Sequence, residues 1–258
     1  MTAIATDLDG TLLDADATLG RVARDALAAL RRAGVPVALM TTKTESELRR
    51  WLGDTGAEFG SFENGAGIVG PGGVEIDPRA LSIEALMTRL AQLGKNRGAP
   101  LIPIRDLPDE ALREMTGLSG DAAMRARQRQ YDIPFLAPGR TPSQLRQVLA
   151  GIPDVALERG GVFWHLSGRH DKGTALDRIL ARYRLPPPLV GLGDAEIDAP
   201  FLMRCDQVVL VPGASGVRAE LREVFPRAYV ARHPGGEGWA EAVKRLTGGD
   251  RGETGTPS

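Results

Sequence analysis

Residues 3–8 begin as a short apolar strand that ends on Asp7. Asp9 follows after a single leucine, with Gly10 next. Positions i and i+2 of a strand point to the same side, so the two carboxylates repel unless something there stabilises negative charge. One reading is a strand entering an Asp-Gly turn. The other is a charged site that later parts of the chain must complete. The surrounding pattern restricts the fold. Residues 21–33 read as a helix closed by Gly34, 35–40 as a buried strand and 45–52 as a second helix, and 59–69 as strand and turn around Glu63, Asn64 and Gly65. An apolar strand, a polar loop and a helix, repeated, make the βα unit of a parallel sheet. The expected fold class is α/β, a Rossmann-like doubly wound parallel sheet.

The rhythm returns late in the chain. Residues 171–183 read as a helix, 189–192 as a short buried strand leading to Gly193 and Asp194, and 207–211 as another strand. Between the halves, helices at 83–96, 109–116 and 119–130 mix with strands at 132–136, 154–157 and 161–167. We expect a core built from 1–79 and 169–247, an inserted α+β cap at 80–168 beside the active edge, and a disordered tail at 248–258, where apolar residues are few.

Composition excludes several classes. Lys+Arg 32 against Asp+Glu 33 gives a net charge of −1, so no global basic field suggests nucleic acid or a membrane surface. No apolar run approaches the ~20 residues of a membrane span, and the start lacks a secretory pattern. The single cysteine, Cys205, excludes an intrachain disulfide and a thiolate zinc cluster. A cytoplasmic location is expected. Monomer and homodimer are equally compatible with the sequence.

Four stretches fall at strand ends or helix starts, where open α/β sheets bind ligands. They are Asp7-Leu8-Asp9-Gly10-Thr11, Thr41-Thr42-Lys43-Thr44, Asp171-Lys172-Gly173, and Gly193-Asp194 with Asp198. Each has an ordinary reading alone: a solvated lysine, a capping threonine, a surface aspartate. A calcium loop is excluded because glycine comes at its fourth position and no glutamate closes it. A P-loop is absent.

In this order the four stretches resemble the motifs of the haloacid dehalogenase superfamily of phosphohydrolases, with a cap of the C2 type inserted after the second. The resemblance implies a Mg2+-dependent phosphatase. Asp7 would be the nucleophile, Asp9 the general acid and base, Thr41 a donor to the phosphoryl group and Lys172 the neutralising cation. Asp7, Asp9 through its carbonyl, Asp194 and Asp198 would hold the metal. Manganese and cobalt stay open as alternatives.

Finer features are similar to the mannosyl-3-phosphoglycerate phosphatases: Thr42-Lys43-Thr44; Thr116-Gly117-Leu118-Ser119; Arg127, Arg129, Tyr131 and Asp132; Gly160-Gly161 before Phe163-Trp164-His165; and Gly235-Gly236-Glu237-Gly238-Trp239. They imply a phosphorylated sugar-glycerate as the small-molecule partner, with Thr42, Lys43, Asn64, Arg127, Arg129 and His165 as substrate contacts. Simpler readings stand beside these: cap core for Phe163 and Trp164, a solvated helix face for the arginines, a structural histidine, and a plain turn at Asn64. Three positions depart from the family pattern. Ile197 stands for an asparagine, Gln130 for a glutamate and Val162 for an arginine. Phosphatases of glucosyl-3-phosphoglycerate, sucrose phosphate or a hexose phosphate are the nearest alternatives, and a non-catalytic phosphosugar sensor is the alternative from another class.

Overall fold

The computed structural model describes residues 2–247, apart from 95–99, 119, 150, 153 and 161. The expected tail, Ser119 and Gly161 therefore lie outside the described residues.

The first half builds β1 (Ala3–Thr6), α1 (Arg21–Arg32), β2 (Val37–Met40), α2 (Glu45–Thr55), β3 (Phe59–Phe62), β4 (Gly67–Gly70) and β5 (Gly73–Ile76). The middle contributes α3 (Ile83–Gly94), β6 (Ile102–Pro103), α4 (Asp109–Thr116), α5 (Gly120–Arg127), β7 (Asp132–Leu136), α6 (Pro142–Leu149), β8 (Val155–Arg159) and β9 (Trp164–Gly168). The last part adds α7 (Lys172–Tyr183), β10 (Leu189–Gly193), α8 (Ala199–Leu202), β11 (Gln207–Leu210), α9 (Ala219–Val224), β12 (Tyr229–Val230) and α10 (Gly235–Thr247).

The larger sheet runs β12-β11-β10-β1-β2-β3-β4-β5. All neighbours from β12 to β3 are parallel, while β4 and β5 join antiparallel. Strand alternation sorts side chains to the two faces. Ile4 joins Leu27, Trp239 and Val243 on one side, and Ala3 and Ala5 join Leu176, Ile179 and Phe201 on the other. Strand order reverses between β10 and β1, so a crevice opens at their carboxyl ends. Asp7 follows β1 there, and Asp194 follows β10.

The smaller sheet, β6-β7-β9-β8, is antiparallel. One face packs Ile133, Phe135, Trp164 and Leu166 against Leu86, Leu90 and Leu145 of α3 and α6. The alternating residues Asp132, Glu158 and His165 take the opposite face. Trp164 is therefore core of the smaller sheet's module, with the Arg159 guanidinium 5.2 Å from its ring centroid. The Gly235–Trp239 stretch starts α10. Its Trp239 is buried and donates to the Thr6 hydroxyl at 2.9 Å, so these residues brace β1.

Candidate active site

Lys172 opens α7 immediately after Asp171, whose carboxylate accepts from the Thr174 N–H at 2.7 Å as the N-cap. That start carries the lysine into the crevice, where it is buried. Its Nζ donates to Asp7 Oδ1 at 2.5 Å and to Asp198 Oδ1 at 2.6 Å. Asp198 is held from the other side, its Oδ2 accepting the N–H groups of Asp194 at 3.1 Å and Ala195 at 3.0 Å. Ile197 is buried within the same short turn, so these two backbone bonds fix Asp198 without an amide side chain at position 197. Asp194 accepts from the Thr11 hydroxyl at 3.0 Å.

One oxygen each of Asp7, Asp194 and Asp198 lies within 4.8 Å of the others. Three carboxylates share a single lysine, and the imbalance appears at Asp7 and Asp194. Burial, then Asp198, pushes the Asp7 pKa well above its ordinary value despite Lys172. Burial and Asp198 push Asp194 to about 7. An all-oxygen set lacking positive charge fits a hard divalent cation. Gly10 allows the approach. It has φ +82°, and a Cβ there would lie 2.8 Å from Asp194 Oδ2.

Asp9 stands outside the carboxylate cluster. Its Oδ1 pairs with Nζ of the buried Lys43 at 2.9 Å. Thr41 follows β2 and is buried, its hydroxyl accepting from the Lys43 N–H at 3.1 Å. Thr44 then caps α2 in a capping box with Glu47. Asp9, Thr42 and Lys43 line one wall of a cavity of about 350 Å3, and Arg129, Phe163 and His165 line the opposite wall, on the smaller sheet's module.

The remaining expected contacts divide. Arg129 reaches the cavity and is tethered by the Thr42 carbonyl at 2.7 Å and Asp132 at 2.8 Å. Arg127 does not line it. The guanidinium bonds the Leu107 carbonyl at 2.7 Å and Asp109 at 2.5 Å, a strut within the smaller sheet's module. Asn64 is fully buried, lies off the cavity and donates to Glu158. Gln130 is exposed and off the cavity lining, whereas Val162 is 42% exposed at its rim.

Sequence reasoning gave no role to Glu63, which joins the two modules, or to Asp132, which organises the smaller one. Buried Glu63 accepts from the N–H groups of Gln130 and Tyr131 at 3.0 and 2.6 Å. Asp132 binds both Arg129 and His165 at 2.8 Å. For Glu63 the available signal was an acidic residue directly after the apolar strand Phe59–Phe62.

A site with a buried lysine between carboxylates, opening on a cavity that Lys43 and Arg129 line, suits displacement at phosphorus, and the chain is a phosphoric monoester hydrolase. Residues 4–102 match the family model of the haloacid dehalogenase-like hydrolases. A glucosyl-3-phosphoglycerate/mannosyl-3-phosphoglycerate phosphatase of Persephonella marina is 26% identical over 94% of this chain and 96% of its own. The fold is shared with two solved structures. The HAD subclass IIB sugar phosphatase BT4131 superposes with TM-score 0.71 at 17% identity, over 96% of this chain and 99% of its own. A haloacid dehalogenase-like hydrolase from B. subtilis superposes with TM-score 0.70 at 19% identity, over 95% and 100%. No helix among the described residues is long and apolar enough to cross a membrane.

Proposed function

We propose that the protein is a cytoplasmic, Mg2+-dependent phosphatase that converts mannosyl-3-phosphoglycerate to mannosylglycerate and phosphate. The observation that carries this reading is the cavity itself. Lys43 and Arg129 flank a space that joins Asp9 to His165, as suits an ester bearing a carboxylate and a sugar beyond its phosphate. The name of the P. marina relative supports the same class and favours a second reading, in which the glucosyl ester is also hydrolysed.

In this account an oxygen of Asp7 attacks phosphorus, and the bond from phosphorus to the leaving alkoxide breaks. Asp9 gives its proton to that alkoxide. The resulting Asp9 carboxylate then takes a proton from water, whose oxygen attacks phosphorus and displaces Asp7. Phosphate leaves and the nucleophile is restored. Lys172 and the Thr41 hydroxyl offset and orient charge on the transferring group. Mg2+, held by Asp7, the Asp9 carbonyl, Asp194 and Asp198, would supply further neutralisation of phosphate charge. Residues 80–168 would act as the cap, carrying Arg129 and His165 over the core formed by 1–79 and 169–247.

The test is phosphate release, with magnesium and with EDTA, from mannosyl-3-phosphoglycerate, its glucosyl analogue, sucrose 6-phosphate, mannose 6-phosphate and 3-phosphoglycerate. Preference for the first two, lost with EDTA, is expected. Equal or greater activity on a sugar phosphate lacking the carboxylate overturns the substrate assignment, and undiminished activity in EDTA overturns the metal.

A further inference from the structure

The cap wall of the cavity is organised around one buried carboxylate. Asp132 opens β7 and is fully buried. Its register partner on β9 is Ser167, and His165 lies two residues along that strand on the same face. A single oxygen, Oδ2, meets Nη1 of Arg129 at 2.8 Å and Nδ1 of His165 at 2.8 Å. Burial works to raise the Asp132 pKa. His165 and Arg129, with His170 further off, more than offset it and hold the carboxyl below its ordinary range.

An ionised carboxylate has acceptors only. Nδ1 of His165 must therefore carry a proton in this contact, and in the neutral tautomer that this contact selects, the lone pair lies on Nε2. Nε2 makes no hydrogen bond to another described residue, and the ring lines the cavity. Arg129 is held just as firmly. Its Nε donates to the Ala126 carbonyl at 3.1 Å, and Nη1 is shared between the Thr42 carbonyl and Asp132.

We propose that Asp132 is the positioning residue for the half of the site that reads the alcohol portion of the phosphate ester. It sets the Arg129 guanidinium toward an anionic group and fixes the His165 ring so that Nε2 accepts from a hydroxyl. Asp132 acts through these two side chains without touching substrate. The ligand chemistry follows: a phosphate ester whose leaving alcohol carries both an anionic group and a hydroxyl. This deepens the substrate reading above and rests on it.

Two measurements test the inference, one of them without substrate. The chain has three histidines, so the 15N-labelled ring signals of His165 can be assigned by comparison with His165→Gln. At pH 8 the wild type is expected to show His165 protonated at Nδ1 and bare at Nε2. In Asp132→Asn that tautomer is expected to be lost or mixed. A wild-type ring protonated at Nε2, or a ring unchanged by Asp132→Asn, overturns the proposal.

The second measurement is the ratio of kcat/KM for mannosyl-3-phosphoglycerate to that for p-nitrophenyl phosphate. In Asp132→Asn this ratio is expected to fall about 10- to 100-fold, as for one lost charge-assisted hydrogen bond, and Asp132→Glu recovers part of it. A merely structural role lowers both substrates alike, and an unchanged ratio overturns the proposal. If the wild type prefers another ester of the panel, that ester takes the place of the mannosyl compound. The ring tautomer still stands as a separate test, so failure of the substrate reading is distinguishable from failure of this one.

Discussion

Lys172 Nζ lies 2.5 Å from Asp7 and 2.6 Å from Asp198, so one buried ammonium serves two carboxylates. Burial works to lower its pKa, but Asp198 and Asp7 hold it above the ordinary lysine range. Lys172→Met removes the charge and leaves the acidic cluster uncompensated. We expect phosphate release to fall by about 10²- to 10³-fold. Stability in EDTA at pH 8 should fall by about 3–5 kcal/mol, with part of the loss restored by added magnesium. Urea denaturation with and without the metal checks this. A variant as stable as wild type in EDTA contradicts the electrostatic account.

Gly10→Ala acts on the same cluster from the side. The backbone there has φ +82°, and the new Cβ would crowd Asp194 Oδ2. Displacing one carboxylate should raise the magnesium concentration for half-maximal activity about 10- to 100-fold. Titrating activity against magnesium at saturating substrate measures the change.

Arg127, the last residue of α5, and Arg129, in the loop after it, should separate cleanly. Arg127 pairs with the exposed Asp109 at the surface of the smaller sheet's module, whereas Arg129 is tethered in the cavity wall. Arg127→Ala should change kcat/KM less than about twofold and stability by at most about 1 kcal/mol. Arg129→Ala should cost at least about tenfold in kcat/KM for the sugar ester. Comparable losses in both variants contradict this division.

Glu63 makes the seam between the sheets sensitive to pH. Burial pushes its carboxyl from 4.5 to about 7, against the pull of Arg129 and the Tyr131 N–H. The folded chain therefore holds this proton more tightly than the unfolded chain. That contribution to stability is complete below about pH 4.5 and is lost as pH rises through about 7. Half-buried Glu158, also raised to about 7, works in the same direction. His170, whose pKa burial lowers, works in the opposite direction below its ordinary 6.5. The difference between wild type and Glu63→Gln isolates Glu63. The variant should gain about 1 kcal/mol relative to wild type between about pH 6 and 8. Urea midpoints at both pH values test it, and a constant difference contradicts the assignment.

The clustering of Asp7, Asp194 and Asp198 was legible because such residues fall at strand ends. Asp7 after β1 and Asp194 after β10 meet through parallel pairing alone. Strand β5 was not legible, since Gly72 and Gly73 take positive φ and Val74 to Ile76 are exposed on both faces, leaving no alternation to read. The α6 segment hid for a related reason, since Leu145 is the one core contact among its described side chains. Arg127 and Arg129 were both read as ligands on one helix over 119–130, but α5 ends at Arg127 and Arg129 lies in the loop before β7, which turns it to the cavity. The partnership of Asp132 with His165 spans 33 residues and depends on β7 pairing with β9. No local pattern announces such a pairing.

The central claim is that Asp7 takes the phosphoryl group. Its most direct test is rapid acid quench after mixing the enzyme with 32P-labelled mannosyl-3-phosphoglycerate, using Asp9→Asn to slow the attack by water. The account predicts acid-stable, hydroxylamine-labile label on the peptide containing Asp7, and none in Asp7→Asn. Label of the same kind in Asp7→Asn, or steady phosphate release by that variant, would contradict it.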